Sequence, residues 1–348
     1  MKVEHHLHFY LWGYTMGADL SKFWVVAVIS NPVRFDSRVK LFERFKKYME
    51  RYNVNLCVVE LAYGDRPYSI AQSQYEEPRC IVSGNEKTRV IQLRTWDEIW
   101  HKENMINVGI SRLPSDWEYV AWIDADVEFK DDNWLEETWH RLQHHHVVQM
   151  FNQAIDFGPD DEIIQIHDGF MAMYWKNGMK PPQGSGYSGY YGYGGGKKTW
   201  HPGYGWAIRK EALEHLGGLM EFPILGAADH HMALCMIGEG ERSLPKGIHS
   251  VYREKIMMWQ DRALRYLKKD VGFVNTTLFH HWHGKKKDRR YVERWDVLTK
   301  NAFNPSTDLK KDSQGILQLV VESPRQIRLR DQIRLYFRNR NEDSIDLE

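Results

Sequence analysis

Cysteine is scarce, net charge is absent and long apolar runs are missing, and each shortage excludes something. Only Cys57, Cys80 and Cys235 occur in 348 residues, an odd number without paired spacing. That speaks against a disulfide framework and for a reducing compartment. Lys plus Arg number 47 and so do Asp plus Glu, giving zero formal charge. Such a balance does not suit a general electrostatic binder of nucleic acid or membrane, although local patches stay open. No stretch of about 18 apolar residues exists, so no membrane-spanning helix is expected. The opening MKVEHHLHFYLWGYTMGADL lacks the apolar core and cleavage site of a signal peptide. A cytoplasmic location is therefore expected, and the Asn275-Thr276-Thr277 glycosylation pattern would be idle. There is no internal repeat, and nothing in the sequence indicates an oligomeric state.

What is present fits a globular chain: 42% apolar and 27% charged residues. Aromatics are plentiful, with 14 Trp, 18 Tyr and 14 Phe, suited to stacking on sugars or bases and equally to cores. Residues 23–30 form a nearly continuous apolar run, as a strand buried on both faces requires. A helix is predicted after Asn31-Pro32, from about Asp36, with Leu41, Phe42, Phe45, Tyr48, Met49 and Tyr52 on one face. Strands follow at 54–61, 90–93 and 118–123, with a helix over 97–113. This order predicts a mostly parallel α/β sheet with right-handed crossovers. Further helices are expected at 131–145, 209–216, 229–236, 288–303 and 324–340, and a strand at 147–151. Residues 183–196 are rich in Gly and Tyr and cannot form a stable helix.

Three constellations could do chemistry. In Trp122-Ile123-Asp124-Ala125-Asp126, a strand period of two would point both carboxylates the same way, at the sheet edge where α/β proteins bind ligands. A divalent cation would relieve their repulsion and could hold a diphosphate, while turn-forming or capping aspartates are the plainer alternative. In Phe279-His280-His281-Trp282-His283-Gly284, clustered imidazoles suggest a transition metal such as Mn²⁺, against a hydrogen-bonded buried cluster. His144-His145-His146 reads as a solvated helix end, and His5, His6 and His8 carry no assignment. Thirdly, glycines bracket Trp206 and the apolar 207–208, and Asp229 opens a helix, where a cap is the ordinary role.

In this order the motifs resemble those of nucleotide-sugar glycosyltransferases of the GT-A type, nearest to the β-1,4-galactosyltransferase and chondroitin-polymerase-like branch. Asn31-Pro32-Val33-Arg34-Phe35-Asp36-Ser37-Arg38 is similar to that family's Pro-Phe-Arg-Asn-Arg turn. Lys102-Glu103-Asn104-Met105-Ile106-Asn107-Val108-Gly109 resembles its Lys-Leu-Leu-Asn-Val-Gly helix, and Asp124-Ala125-Asp126 its Asp-x-Asp motif. Gly205-Trp206-Ala207-Ile208 through Asp229 resembles its Gly-Gly-x-x-Ala…Glu-Asp block, and His280-His281-Trp282-His283 falls where its remaining metal ligands lie. The likeness spans roughly residues 23–295.

The resemblance implies a GT-A domain over 23–303, a single nucleotide-sugar-binding unit. It would sit between an N-terminal extension, 1–22, and a C-terminal basic helix with an acidic tail, 304–348. It implies Mn²⁺ or Mg²⁺ held by Asp126, His283 and His280, and a UDP-sugar donor. Pro32, Val33 and Arg34 would line the base and Glu60 the uridine. Lys102, Asn107, Asp124 and Trp206 would shape the donor site. Asp229 would be the general base of an inverting transfer. Two departures stand out. The family's Glu-Asp pair reads Ala228-Asp229, so an acceptor-binding acid is missing, and the Trp-Gly-Trp-Gly loop is absent. The 184–196 loop would then be a flexible lid or a plain insertion. The acceptor is open between a glycan and a hydroxymethylated DNA base, which Lys285-Lys286-Lys287, Arg289-Arg290 and the arginine-rich 324–340 helix could serve. A non-catalytic sugar- or metal-binding relative is the alternative of another class.

Overall fold

The structure is a computed structural model that describes residues 18–52, 54–70, 80–82, 87–182 and 200–347. His5, His6, His8 and the 184–196 loop lie outside the described residues.

The apolar run forms β1 (Phe23–Ser30), and its alternate side chains enter two different cores. Trp24 and Val26 face one layer, while Phe23, Val25 and Ala27 face the other. That is the period-two consequence of burying a strand on both sides. β1 pairs in parallel with β2 (Asn55–Tyr63) and with β5 (Tyr119–Ile123), and β2 with β4 (Thr88–Thr95). With β3 (Cys80–Val82), β7 (Val147–Gln149), β11 (Gly205–Arg209) and β12 (Val271–Phe273), the sheet runs β12-β7-β11-β5-β1-β2-β4-β3. Only β3 and β11 run against the other strands. The sheet is thus mostly parallel and flanked by helices, as the strand and helix order predicts.

One layer packs α1 (Asp36–Met49) and α3 (Trp134–Leu142) on the sheet. The other packs α2 (Lys102–Ser111), α4 (Phe170–Lys176), α5 (Lys210–Leu216), α6 (Ala228–Met236) and α7 (Ser250–Leu267). α8 (Arg294–Lys300) and α9 (Pro324–Arg338) add to that layer. The expected 131–145 and 288–303 helices are shorter than their apolar spacing suggests. Helix α7, eighteen residues long, is a finding the sequence reading lacks. So is a second sheet, β10 (Trp200–His201), β9 (Ile163–Gly169), β8 (Gln153–Phe157), β13 (Thr277–His280) and β6 (Val127–Phe129), in that order. A small β14–β15 hairpin (Leu309–Lys311, Leu317–Leu319) precedes α9.

This second sheet positions the chemistry. β6 directly follows Asp126, and β13 ends on His280. The two strands pair antiparallel with His280 opposite Val127, and the His281 amide donates to the Asp126 carbonyl at 2.9 Å. Segments some 150 positions apart are therefore zipped together by backbone hydrogen bonds.

Candidate active site

Asp126, His280 and His283 bring one ligand atom each to within 4.8 Å of one another. His283 Nε2 lies 3.1 Å from Asp126 Oδ2 and 3.1 Å from His280 Nε2, which in turn is 3.8 Å from Asp126 Oδ2. The orientation of His280 is set from behind. Its Nδ1–H donates to Asp156 Oδ1 at 3.0 Å, which leaves a lone pair on Nε2 facing the cluster. Burial, and then the nearby Arg289 and His280, hold the His283 imidazole well below its ordinary value, hence neutral. Two imidazole nitrogens 3.1 Å apart beside a carboxylate oxygen form a site that a cation satisfies. Asp126 Oδ1 is buried without a hydrogen-bond partner, and burial pushes its carboxyl above the usual range. The residues present therefore fit a divalent metal.

Asp156 has no counterpart in the sequence reading. It is a buried aspartate on β8, in register with His280 on β13. Besides His280 it accepts from the Tyr204 hydroxyl at 2.7 Å, from His167 Nε2 at 2.7 Å, and from the Lys286 ammonium. Burial alone would raise its carboxyl; His167, His280 and Lys286 outweigh that and hold it well below the usual carboxylate range.

A cavity of about 200 Å³ opens on the metal cluster and is also lined by Lys102, Glu103, Asp124 and Asp229. Asp124 and Asp126 do not share a strand, because β5 stops at Ile123. The period-two expectation for this pair is thus corrected: they lie in the turn and take different partners. Asp124 is ion-paired with Lys102. Burial would lower the Lys102 ammonium, but the charges of Asp124, Glu103 and Asp229 hold it above its ordinary value. Glu103 is itself buried and is pushed up to about 7, first by desolvation.

Asp229 sits in the first turn of α6, entered through Ala227 at φ 84°. Its carboxylate accepts from the His230 amide at 2.8 Å. Gly203 makes room for it, since a Cβ there would stand 2.5 Å from Asp229 Oδ2.

The remaining expected residues fall elsewhere. Pro32, Val33 and Arg34 follow β1. Arg34, at φ 68°, lines a neighbouring cavity of about 330 Å³ together with Asn31, Asp36 and Glu60. The Glu60 carboxylate accepts from the amides of Ser69 and Ile70. Asn107 lies on neither cavity: its amide donates to the Leu219 carbonyl and its oxygen accepts from the Leu219 amide, each at 3.0 Å. Trp206 is buried in the core with its indole N–H on the Pro202 carbonyl at 2.7 Å. His145, expected at a solvated end, meets Asp270 at 2.6 Å.

Six side chains of the basic segments are ion-paired within the chain. Lys285 pairs with Asp346, Lys286 with Asp156, Arg325 with Asp308, Arg330 with Asp331, Arg338 with Glu98, and Arg340 with Glu342. The acidic tail is no loose appendage: Glu342 is buried and lines the cavity beside the metal cluster.

No protein-family model matches the chain, and no curated protein does. Among solved structures it is similar to the catalytic domain of Drosophila β1,4-galactosyltransferase 7 in complex with xylobiose. That match has 12% identity over 88% of this chain and 98% of that chain, with a TM-score of 0.37. A mutant of the same enzyme in complex with manganese, UDP-Gal and xylobiose matches with 12% identity, the same coverage and a TM-score of 0.37. A diphosphocytidyl-methylerythritol synthase from Anaerococcus prevotii matches with 11% identity over 73% of this chain and 86% of that chain, TM-score 0.31. At such TM-scores the likeness decides neither family nor chemistry.

Proposed function

We propose that the protein is a metal-dependent, inverting glycosyltransferase of the GT-A type, moving a sugar from a UDP-sugar to an acceptor hydroxyl. The observation that supports this best is the meeting of Asp126, His280 and His283 in a cavity also lined by Asp229. Two imidazoles with one carboxylate suit Mn²⁺ better than Mg²⁺, which favours oxygen ligands. A cation bound there would supply charge neutralisation for a leaving diphosphate.

The chain's own residues do the rest. Asp156 fixes the tautomer of His280. Arg34 and Glu60, in the adjoining cavity, take the base end of the donor. Asp229 takes the acceptor's proton as the acceptor oxygen bonds the anomeric carbon. The carbon–oxygen bond to the diphosphate breaks, and its electron pair leaves with UDP. A base on the face opposite the leaving group gives inversion. The pairing of Arg325 with Asp308 and of Arg338 with Glu98 on α9 favours a glycan or other small hydroxyl acceptor over DNA, since paired guanidiniums are less available to phosphates.

A panel of nucleotide sugars with Mn²⁺, followed by UDP release and by thermal shift, tests this reading. One UDP-sugar should be bound and slowly turned over. Metal binding without any donor binding or turnover would leave a non-catalytic metal-binding protein instead.

A further inference from the structure

The C-terminal tail runs from α9 back to the cavity. Glu342 is buried there, accepting from Arg38 Nη2 at 2.7 Å and from Arg340 Nε at 2.6 Å. The next residue, Asp343, accepts from the amides of Asp36 at 3.0 Å and Ser37 at 2.8 Å, the first turn of α1. Arginine forks and helix N-termini are both common protein devices for holding phosphate. Here both carry carboxylates of the chain's own tail. The indole of Trp282, next to His283, clasps the tail through the Ser344 carbonyl at 2.7 Å.

The place matters as much as the groups. Arg38 and Glu342 line the metal cavity, while Asp36 lines the neighbouring cavity with Arg34 and Glu60. Ile29 is common to both. The tail thus touches the linings of both: Glu342 belongs to the metal cavity, and Asp343 meets the Asp36 amide at the other. The metal cavity, at about 200 Å³, is also smaller than the ~300–1,000 Å³ typical of ligand pockets. Arg289 lines it too and leaves its buried Nε without a partner. Arg38 and Arg340 thus share the Glu342 carboxylate, and Arg289, lining the same cavity, has an N–H left over.

We infer that Arg38, Arg340 and Arg289, together with the Asp36 and Ser37 amides, form an anion site for a diphosphate, and that Glu342 and Asp343 of the tail fill it until a diphosphate-bearing ligand displaces them. The inference rests on the UDP-sugar reading for the ligand's identity, though not for the anion site itself. No bond is made or broken; two carboxylates exchange for phosphate oxygens on the same donors.

The test uses the full chain and its Glu342→Gln/Asp343→Asn variant, with UDP and inorganic pyrophosphate as probes and Mn²⁺ present. Calorimetric Kd values for both probes should fall at least tenfold in the variant. The variant should melt lower than the unsubstituted chain, and pyrophosphate should raise its melting temperature by more. In the unsubstituted chain, UDP should speed hydrogen exchange of the 341–346 amides. Equal or weaker pyrophosphate binding by a folded variant, or exchange at 341–346 that bound UDP leaves unchanged, overturns the inference and makes the tail a fixed wall. If UDP binds neither protein but pyrophosphate binds the variant more tightly, the anion site stands and the nucleotide-donor reading falls. If UDP binds both equally, the donor reading stands and the tail inference falls.

Discussion

Asp156→Asn, paired with a second change at Lys286, separates metal binding from folding at a residue that is not itself a metal ligand. The aspartate accepts four hydrogen bonds on two oxygens, from His280, Tyr204, His167 and Lys286. An asparagine keeps one accepting oxygen and turns an N–H₂ toward groups that are themselves donors. Two losses follow. Lys286 is left as a partly buried cation with no carboxylate, and breaking such a pair costs about 3–5 kcal/mol. His280 loses the acceptor that fixes its tautomer, and removing such an outer partner typically costs ~10–100-fold in metal affinity, or about 1.4–2.8 kcal/mol. The double change Asp156→Asn/Lys286→Met removes the stranded charge but leaves His280 unsupported. Chemical denaturation should show most of the stability restored in the double variant. Mn²⁺ titration should show affinity still reduced as in the single one. An unchanged Mn²⁺ Kd in Asp156→Asn would refute the assignment of Asp156 as the group that orients His280.

Asp126→Ala and His283→Ala should each abolish Mn²⁺ binding in calorimetry while circular dichroism stays native, because each removes one of the three donors that converge among the described residues. Asp229→Asn should bind Mn²⁺ and UDP normally but slow transfer by roughly 10²–10⁴-fold, the usual worth of a general base; full transfer activity would remove Asp229 from that role. Glu103 gives a pH signature. Its carboxyl, ordinarily at 4.5, is raised to about 7 by desolvation, so the folded chain holds this proton more tightly than the unfolded chain. Its contribution to stability therefore falls as pH rises from about 4.5 to 7 and is flat above that. Glu103→Gln escapes the loss and should gain on the parent across that window, by at most about 3.4 kcal/mol at 1.36 kcal/mol per pH unit. Equal urea midpoints for the two proteins at every pH would contradict it.

The sheet was legible because its strands are buried on both faces: a run such as Phe-Trp-Val-Val-Ala-Val-Ile-Ser admits few other readings. Helix α7 was legible too and went unread. Tyr252, Ile256, Trp259, Ala263 and Leu267 recur at three- and four-residue steps, but charged residues between them mask the stripe. The second sheet was not legible in this way. On β9, Ile163, Ile164 and Ile166 are exposed while His167 is buried, the inverse of what hydrophobic patterning assumes. The metal cluster could be guessed from its residue types, yet the grouping of Asp126 with His280 and His283 depends on the β6–β13 register, a non-local pairing.

The residues that escaped share one physical trait. Asp156, Glu103 and Glu342 are carboxylates buried by tertiary structure, and in the sequence each looks like any solvated acid. An isolated carboxylate is expelled from an interior unless partners arrive, so its burial reports what surrounds it and not what flanks it. Asp156 is held by His167, His280 and Lys286, and Glu342 by Arg38 and Arg340. His280, Lys286 and Arg38 come from distant parts of the chain, while His167 lies on the strand next to Asp156 and Arg340 two residues from Glu342. Glu103 has only Lys102 beside it, which Asp124 also claims, and it alone of the three is left with a raised carboxyl. The number of cationic or donating neighbours thus sorts the three acids. Where donors are abundant the acid is ionised and structural; where they are short it stays ready to bind a proton near neutral pH, beside Asp229.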